Sequence, residues 1–202
     1  MKKTLLLCLL TLFALWSFAD NNVTKINVNK TKVNKTGVNK NSVVDSSDNV
    51  LSVKVLKTKD LKRIPVEVSL NNPTVPLTCV QCFLQLSDST AKFCKDEENN
   101  AYLYSRTTRW TQQHQAVMAW NPRKHPNSLM VMVITPLSEN LKGTMGPVCI
   151  VYFDGSSLPD GIYSVKMLDS NVVWTDKHQV RSYLVPDTET TFKISNGEVK
   201  TK

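Results

Sequence analysis

Between Ile64 and Ser89 the chain reads IPVEVSLNNPTVPLTCVQCFLQLSDS, and this stretch constrains the fold more than any other. Ile64, Val66, Val68 and Leu70 share one side of an extended chain, and Val80, Cys82, Leu84 and Leu86 repeat the pattern after Asn71-Asn72-Pro73. A period of two is that of half-buried strands, and an Asn-Asn-Pro run is turn chemistry. Further strands are expected over Leu51–Lys57, Ala101–Arg106, Gln115–Trp120, Leu129–Thr135, Pro147–Phe153, Gly161–Met167, Asn171–Trp174, Val180–Leu184 and Thr190–Ile194. Turn residues separate many of them: Asn121-Pro122, His125-Pro126-Asn127, Asp154-Gly155, Pro159-Asp160-Gly161 and, past the last strand, Asn196-Gly197. Short strands at even spacing, without an amphipathic helix of useful length, predict an all-β chain. The architecture expected is an antiparallel β-sandwich of jelly-roll type with about nine strands.

The sandwich does not begin at the first residue. Lys2 and Lys3 precede an apolar run from Leu5 to Trp16, and Ser17-Phe18-Ala19 has the small-x-small form of a cleavage site, so residues 1–19 read as a secretory signal peptide. The run is shorter than the ~20 residues that span a bilayer, no stop-transfer pattern follows it, and no later segment is long enough to span. Residues 20–48 then carry a five-residue repeat, VTKIN-VNKTK-VNKTG-VNKNS-VV, with Val23, Val28, Val33, Val38 and Val43 in register. One small apolar residue in five cannot offset the entropy of ordering the chain, which makes this tract a disordered tether. A short solenoid is the alternative, but it needs more stacked units than the tract supplies. Residues 49–202 suit a single core and form the expected domain.

The tether also accounts for the charge. The chain carries +8, of which Lys2 and Lys3 leave with the leader, and Lys25, Lys30, Lys32, Lys35 and Lys40 face no acid within the repeat. What remains on the domain is close to balanced, without the basic folded face that nucleic acid requires. No nucleic-acid partner is expected.

The order IPVEVSLNNP, LTCVQCFLQLSD, an Arg109 to His114 segment, SLMVMVITPLSENLKGTMGPVCIVYF and LPDGIYSVKMLDSNVVW resembles the cohesin-like domains of secreted proteins from Gram-negative gut and oral anaerobes. The likeness runs over about residues 50–195, through Leu70-Asn71-Asn72, Gln81 to Leu86, Ser138 to Gly146 and Gly161-Ile162-Tyr163. It implies a β-sandwich that binds dockerin modules through one sheet face, with a fold close to that of carbohydrate-binding modules. Neither activity follows from fold alone.

Four cysteines remain after the leader: Cys79, Cys82, Cys94 and Cys149. The Cys79-Val80-Gln81-Cys82 spacing is odd, so on a strand the two side chains point to opposite faces and serve neither a redox dithiol nor half of a zinc site. His114, His125 and His178 lack metal-ligand spacing, and no metal or other cofactor is expected. In an oxidising compartment Cys82 pairs with Cys94 or Cys149 in a disulfide between sheets, or the cysteines stay as small core thiols; the spacing leaves both open.

Catalytic motifs are missing from the pattern. No G-x-S-x-G elbow or phosphate-cradling glycine loop occurs, and Asp96-Glu97-Glu98 beside Asn99-Asn100 is a solvated loop rather than a pair of carboxylates at working separation. The reading is therefore not an enzyme but a secreted binding or cell-surface structural module. Its partner is a protein met through a sheet face or, alternatively, a polysaccharide. For a sugar, Tyr104, Arg106, Arg109, Trp110, Gln113 and His114 would offer stacking planes and planar donors. The same stretch also reads structurally: Tyr102 and Tyr104 alternate as core-facing residues do, Trp120 ends a strand, and Arg109 with His114 ties down a long loop. Asp88-Ser89-Thr90 fits a short O-glycosylation pattern in a turn, with Ser89 as acceptor.

Overall fold

In a computed structural model of the chain, the described residues are 48–98, 100–120, 125–135, 139–175 and 180–201. They belong to one compact unit, Val44–Lys202. The leader expected over 1–19, nearly all of the tether expected over 20–48, and the Asn121-Pro122 turn lie outside them. Extended chain forms where the alternation is strongest. Twelve strands occur among the described residues: β1 Val50–Val55, β2 Ile64–Asn71, β3 Cys79–Leu86, β4 Lys92–Phe93, β5 Tyr104–Ser105, β6 Gln115–Trp120, β7 Ser128–Ile134, β8 Met145–Asp154, β9 Gly161–Thr175, β10 Val180–Val185, β11 Thr188–Ser195 and β12 Glu198–Thr201.

They build two antiparallel sheets. The five-stranded sheet runs β1-β2-β8-β4, with β5 also on β8; the seven-stranded sheet runs β12-β11-β9-β3-β7-β6, with β10 also on β9. The inner faces meet as the alternation predicts. Ile64, Val66, Val68 and Leu70 from β2, with Cys149, Val151 and Phe153 from β8, oppose Val80, Cys82, Leu84 and Leu86 from β3, with Leu129, Val131 and Val133 from β7. Phe153 and Phe192 lie 5.8 Å apart between ring centroids, joining β8 of one sheet to β11 of the other. Side chains of this size contribute about 1.5–3 kcal/mol each on full burial, and this interior holds the layers together.

Two bulges shape the sheets. Between β2 and β8 the register shifts at Val68/Ser69, leaving Val148 without a partner in the ladder; its carbonyl accepts a hydrogen bond from Trp110 Nε1. Between β3 and β9 the register shifts between Gln81 and Phe83, so the Asp169-Ser170 step stands opposite Cys82. Asp169 has φ 45°, and its N–H donates to Asp187 Oδ1 at 2.9 Å. Bulges of this kind leave backbone groups outside the ladder, and side chains elsewhere satisfy them.

The sequence expectations need four corrections. Gly161–Met167 and Asn171–Trp174 are one fifteen-residue strand, β9, because a bulge rather than a turn takes up the break in alternation. Asn196-Gly197 does not close the domain: with φ of 53° and 71° it turns the chain into β12, which pairs with β11. The segment expected as Ala101–Arg106 shrinks to Tyr104–Ser105, and Lys92–Phe93 adds a two-residue strand that has too few residues to show a period. The count therefore exceeds nine while the architecture stands.

Candidate functional site

The outer face of the seven-stranded sheet follows directly from the pairing registers. Since residues opposite one another share a face, Gln115, Ile134, Cys79, Val173 and Ser182 form one row across β6, β7, β3, β9 and β10. Val117, Met132, Gln81, Asn171 and Leu184 form the next row, and Ala119, Met130, Phe83 and Leu168 a third. These side chains point away from the sandwich interior, yet most are apolar. Leu184 is 85% exposed at one margin, and only Gln81 and Asn171 break the middle of the patch with amides. Beyond it the face turns polar: Lys166 meets Glu189 at 4.0 Å, and Gln85 stands beside Lys166.

One end of the patch is strapped. His125 lies over Phe83 with ring centroids 4.9 Å apart, and its Nε2 is 2.7 Å from Asp169 Oδ2. Gln85 Nε2 donates to Pro126 O, and Asn127 Nδ2 donates to the carbonyls of Leu86 and Asp88. Phe83 beneath the strap is completely buried, and Met132, Val173 and Leu184 lie outside it.

The sugar-binding candidates sit elsewhere. β5 belongs to one sheet and β6 to the other, so the Arg106–His114 connection closes the side of the sandwich. Arg109 is 4% exposed. Its guanidinium donates to Lys142 O (2.8 Å), Leu70 O (2.8 Å), Gly146 O (3.4 Å), Asn72 Oδ1 (2.6 Å) and Gly143 O (2.9 Å), and burial lowers its pKa. Trp110 is buried beneath Arg106, whose guanidinium lies 5.0 Å from the indole centroid. His114 is 1% exposed; its Nδ1 accepts from the Thr111 N–H at 3.0 Å and lies 2.9 Å from Thr111 Oγ1. Burial holds the His114 pKa below the ordinary histidine value, with Glu139 opposing. Three of the six candidates are thus structural ties. Tyr104, 40% exposed and stacked 6.0 Å from Trp110, and Arg106 remain accessible, while Gln113 borders a shallow depression with Thr111, Gln112, Glu139 and Asn140.

No protein-family model matches the chain, and no curated protein does. Solved structures do. A cohesin module from a Clostridium perfringens family 33 glycoside hydrolase superposes with a TM-score of 0.51 at 8% identity, covering 73% of this chain and 97% of that one. The seventh ScaB type I cohesin from Pseudobacteroides cellulosolvens gives 0.54 at 9% identity, covering 73% and 92%. The cohesin in a type I cohesin–dockerin complex from Clostridium thermocellum gives 0.50 at 12% identity, covering 70% and 96%. The fold is that of a cohesin-like β-sandwich. At these identities the likeness concerns architecture, and residue roles have to come from this chain.

In this cohesin-like sandwich all four described cysteines are free thiols. Cys94 is the plainest case: it sits just past β4 at the sheet margin, where its Sγ donates to Lys62 O at 3.2 Å, whereas Cys82 lies in the core. Desolvation raises every thiol, Cys79 and Cys149 to about 12 and Cys94 to about 11; for Cys82, Cys149 adds to the rise from the facing sheet. Ser89 is exposed in a turn whose geometry is set by Asp88 Oδ1 accepting from both Thr90 N and Thr90 Oγ1. Among the described residues no group of three or more His, Cys, Asp or Glu could hold a metal ion, and no helix is long and apolar enough to cross a membrane.

What the sequence missed is the outer face. Phe83, Met130, Met132 and Ile134 alternate in β3 and β7 as clearly as the core residues do. Runs apolar on both faces were the available signal, since a strand of a half-solvated sheet needs only one.

Proposed function

We propose that this chain is an exported, non-catalytic interaction module that binds a protein partner on the outer face of its seven-stranded sheet. The observation that carries the reading is the pair of apolar rows through Val117, Met132, Ile134, Val173 and Leu184, on a face that has no second layer among the described residues. A contiguous apolar patch rimmed by polar residues marks a protein contact far more often than a glycan one, where stacking aromatics lead. The Clostridium thermocellum cohesin was solved with a dockerin, which supports a partner of that kind here. In this reading residues 1–19 direct export, residues 20–48 tether the domain, Ser89 accepts a glycan, and Arg109, Trp110 and His114 brace the sandwich.

The test is affinity capture with the wild-type protein and with Met132→Lys and Leu184→Lys variants of unchanged melting temperature, against the producing cell's exported proteins and a polysaccharide panel. The expected result is a protein retained by the wild type and lost by both variants. Equal retention by all three would sink the sheet-face assignment. Glycan retention abolished by Tyr104→Ala would transfer the function to the polysaccharide alternative.

A further inference from the structure

β6 is an edge strand whose own residues carry none of the usual guards against another strand. Among the described residues it pairs only with β7, and no backbone hydrogen bond joins its open side to another of them. Free sheet edges present a row of unpaired N–H and C=O groups, and proteins blunt them with charge, proline, shortness or bulges. The other edges here follow that rule: β1 carries Lys54, β10 carries Arg181, β12 carries Glu198 and Lys200, and β4 and β5 are two residues long. β6 is Gln-Ala-Val-Met-Ala-Trp, six residues without a charge or a proline, paired to β7 without a register shift. Trp120 at its end is 62% exposed.

We propose that β6 pairs antiparallel with β6 of a second copy, joining two seven-stranded sheets into one. A neutral strand suits a two-fold contact, in which every residue meets its own counterpart or a near neighbour and any charge would face its like. The pleat narrows the register. Val117 and Ala119 belong to the outer face while Ala116 and Met118 pack toward the core, and directly opposed residues must share a face. Only registers centred on one residue satisfy this, and those that pair most of the strand set Val117 against Val117 or Met118 against Met118. A two-fold axis normal to the sheet keeps outer face beside outer face, so the dimer presents two apolar patches side by side. The contact is short, and interfaces of that size associate weakly, so dimerisation depends on concentration. The proposal stands on the edge alone and does not require a particular partner on the face.

Sedimentation velocity of the full-length protein over a hundredfold concentration range, combined with amide hydrogen exchange at both ends of that range, tests it. The expected result is a monomer–dimer equilibrium with β6 amides protected only in the concentrated sample. Val117→Lys is expected to leave a monomer with an unchanged melting temperature, while Leu184→Lys, on the same face but far from the edge, still dimerises. A monomer at every concentration with unprotected β6 amides overturns the proposal, and so does a dimer that survives Val117→Lys. A monomer whose β6 amides are protected only while residues 20–48 are present assigns the edge to the tether and also overturns it. Partner capture lost with Leu184→Lys while dimerisation persists separates this contact from the binding face.

Discussion

Replacing Arg109 by alanine removes a guanidinium that donates five hydrogen bonds, four of them between 2.6 and 2.9 Å. The loss is uneven. The Lys142 and Gly143 carbonyls belong to exposed residues and regain water once the side chain is gone. Leu70 O and Asn72 Oδ1 both belong to buried residues, so both become orphaned acceptors. Each buried acceptor left without a partner costs about 1–3 kcal/mol, and the cavity left by the side chain adds to that. The expected destabilisation is about 3–5 kcal/mol, a large share of the ~5–15 kcal/mol that holds a domain folded. Arg109→Lys keeps the charge but not the planar fork, and should recover less than half of the loss. Urea denaturation followed by tryptophan fluorescence measures both, with the midpoint falling and the slope unchanged. In a thermal scan the alanine variant should melt roughly 6–20 °C lower. A shift below about 1 kcal/mol for Arg109→Ala, or full stability in Arg109→Lys, would refute the reasoning: the guanidinium would then be hydrated and available to a ligand.

Two further outcomes are expected. His114 is held neutral by burial, with its folded pKa below the unfolded value of 6.5, so the folded state binds fewer protons. Its contribution is complete above pH 6.5 and is lost as pH falls from there toward the folded pKa; His114→Gln should flatten that part of a stability-against-pH curve, and an unchanged slope would show that His114 is not the group responsible. For the thiols, labelling of the native protein by a disulfide reagent at pH 8 should be slow and confined to Cys94, the one partly exposed cysteine of the described four, with Cys79, Cys82 and Cys149 reacting only on unfolding. Rapid native labelling of Cys82 or Cys149 would mean that the core opens.

The inner faces of β2 and β3 were legible because alternation is a local property: a strand's side chains point to opposite faces wherever the strand lies. Val80, Cys82, Leu84 and Leu86 therefore read as core before any partner is known. Whether Arg109 and Trp110 bind a ligand or brace the fold was not legible. Both offer the groups that bind sugars, and what makes them ties is the bulge at Val148 and the carbonyls of Leu70, Lys142 and Gly143, distant in sequence. The free thiols were equally hidden, since spacing says which face a cysteine occupies and nothing about its distance from another strand's cysteine.

By itself, then, the order of residues determined that this chain forms strands, where most of them turn and which side of β2 and β3 is dry, because those depend on period and turn chemistry over a few residues. Tertiary structure decided the rest. Pairing β6, β7, β3, β9 and β10 gathers apolar side chains that are scattered between Cys79 and Leu184 into one outer face, and leaves β6 as an uncharged edge among the described residues. Both features come from hydrogen bonds between strands far apart in the chain, and no local period encodes which strands become neighbours.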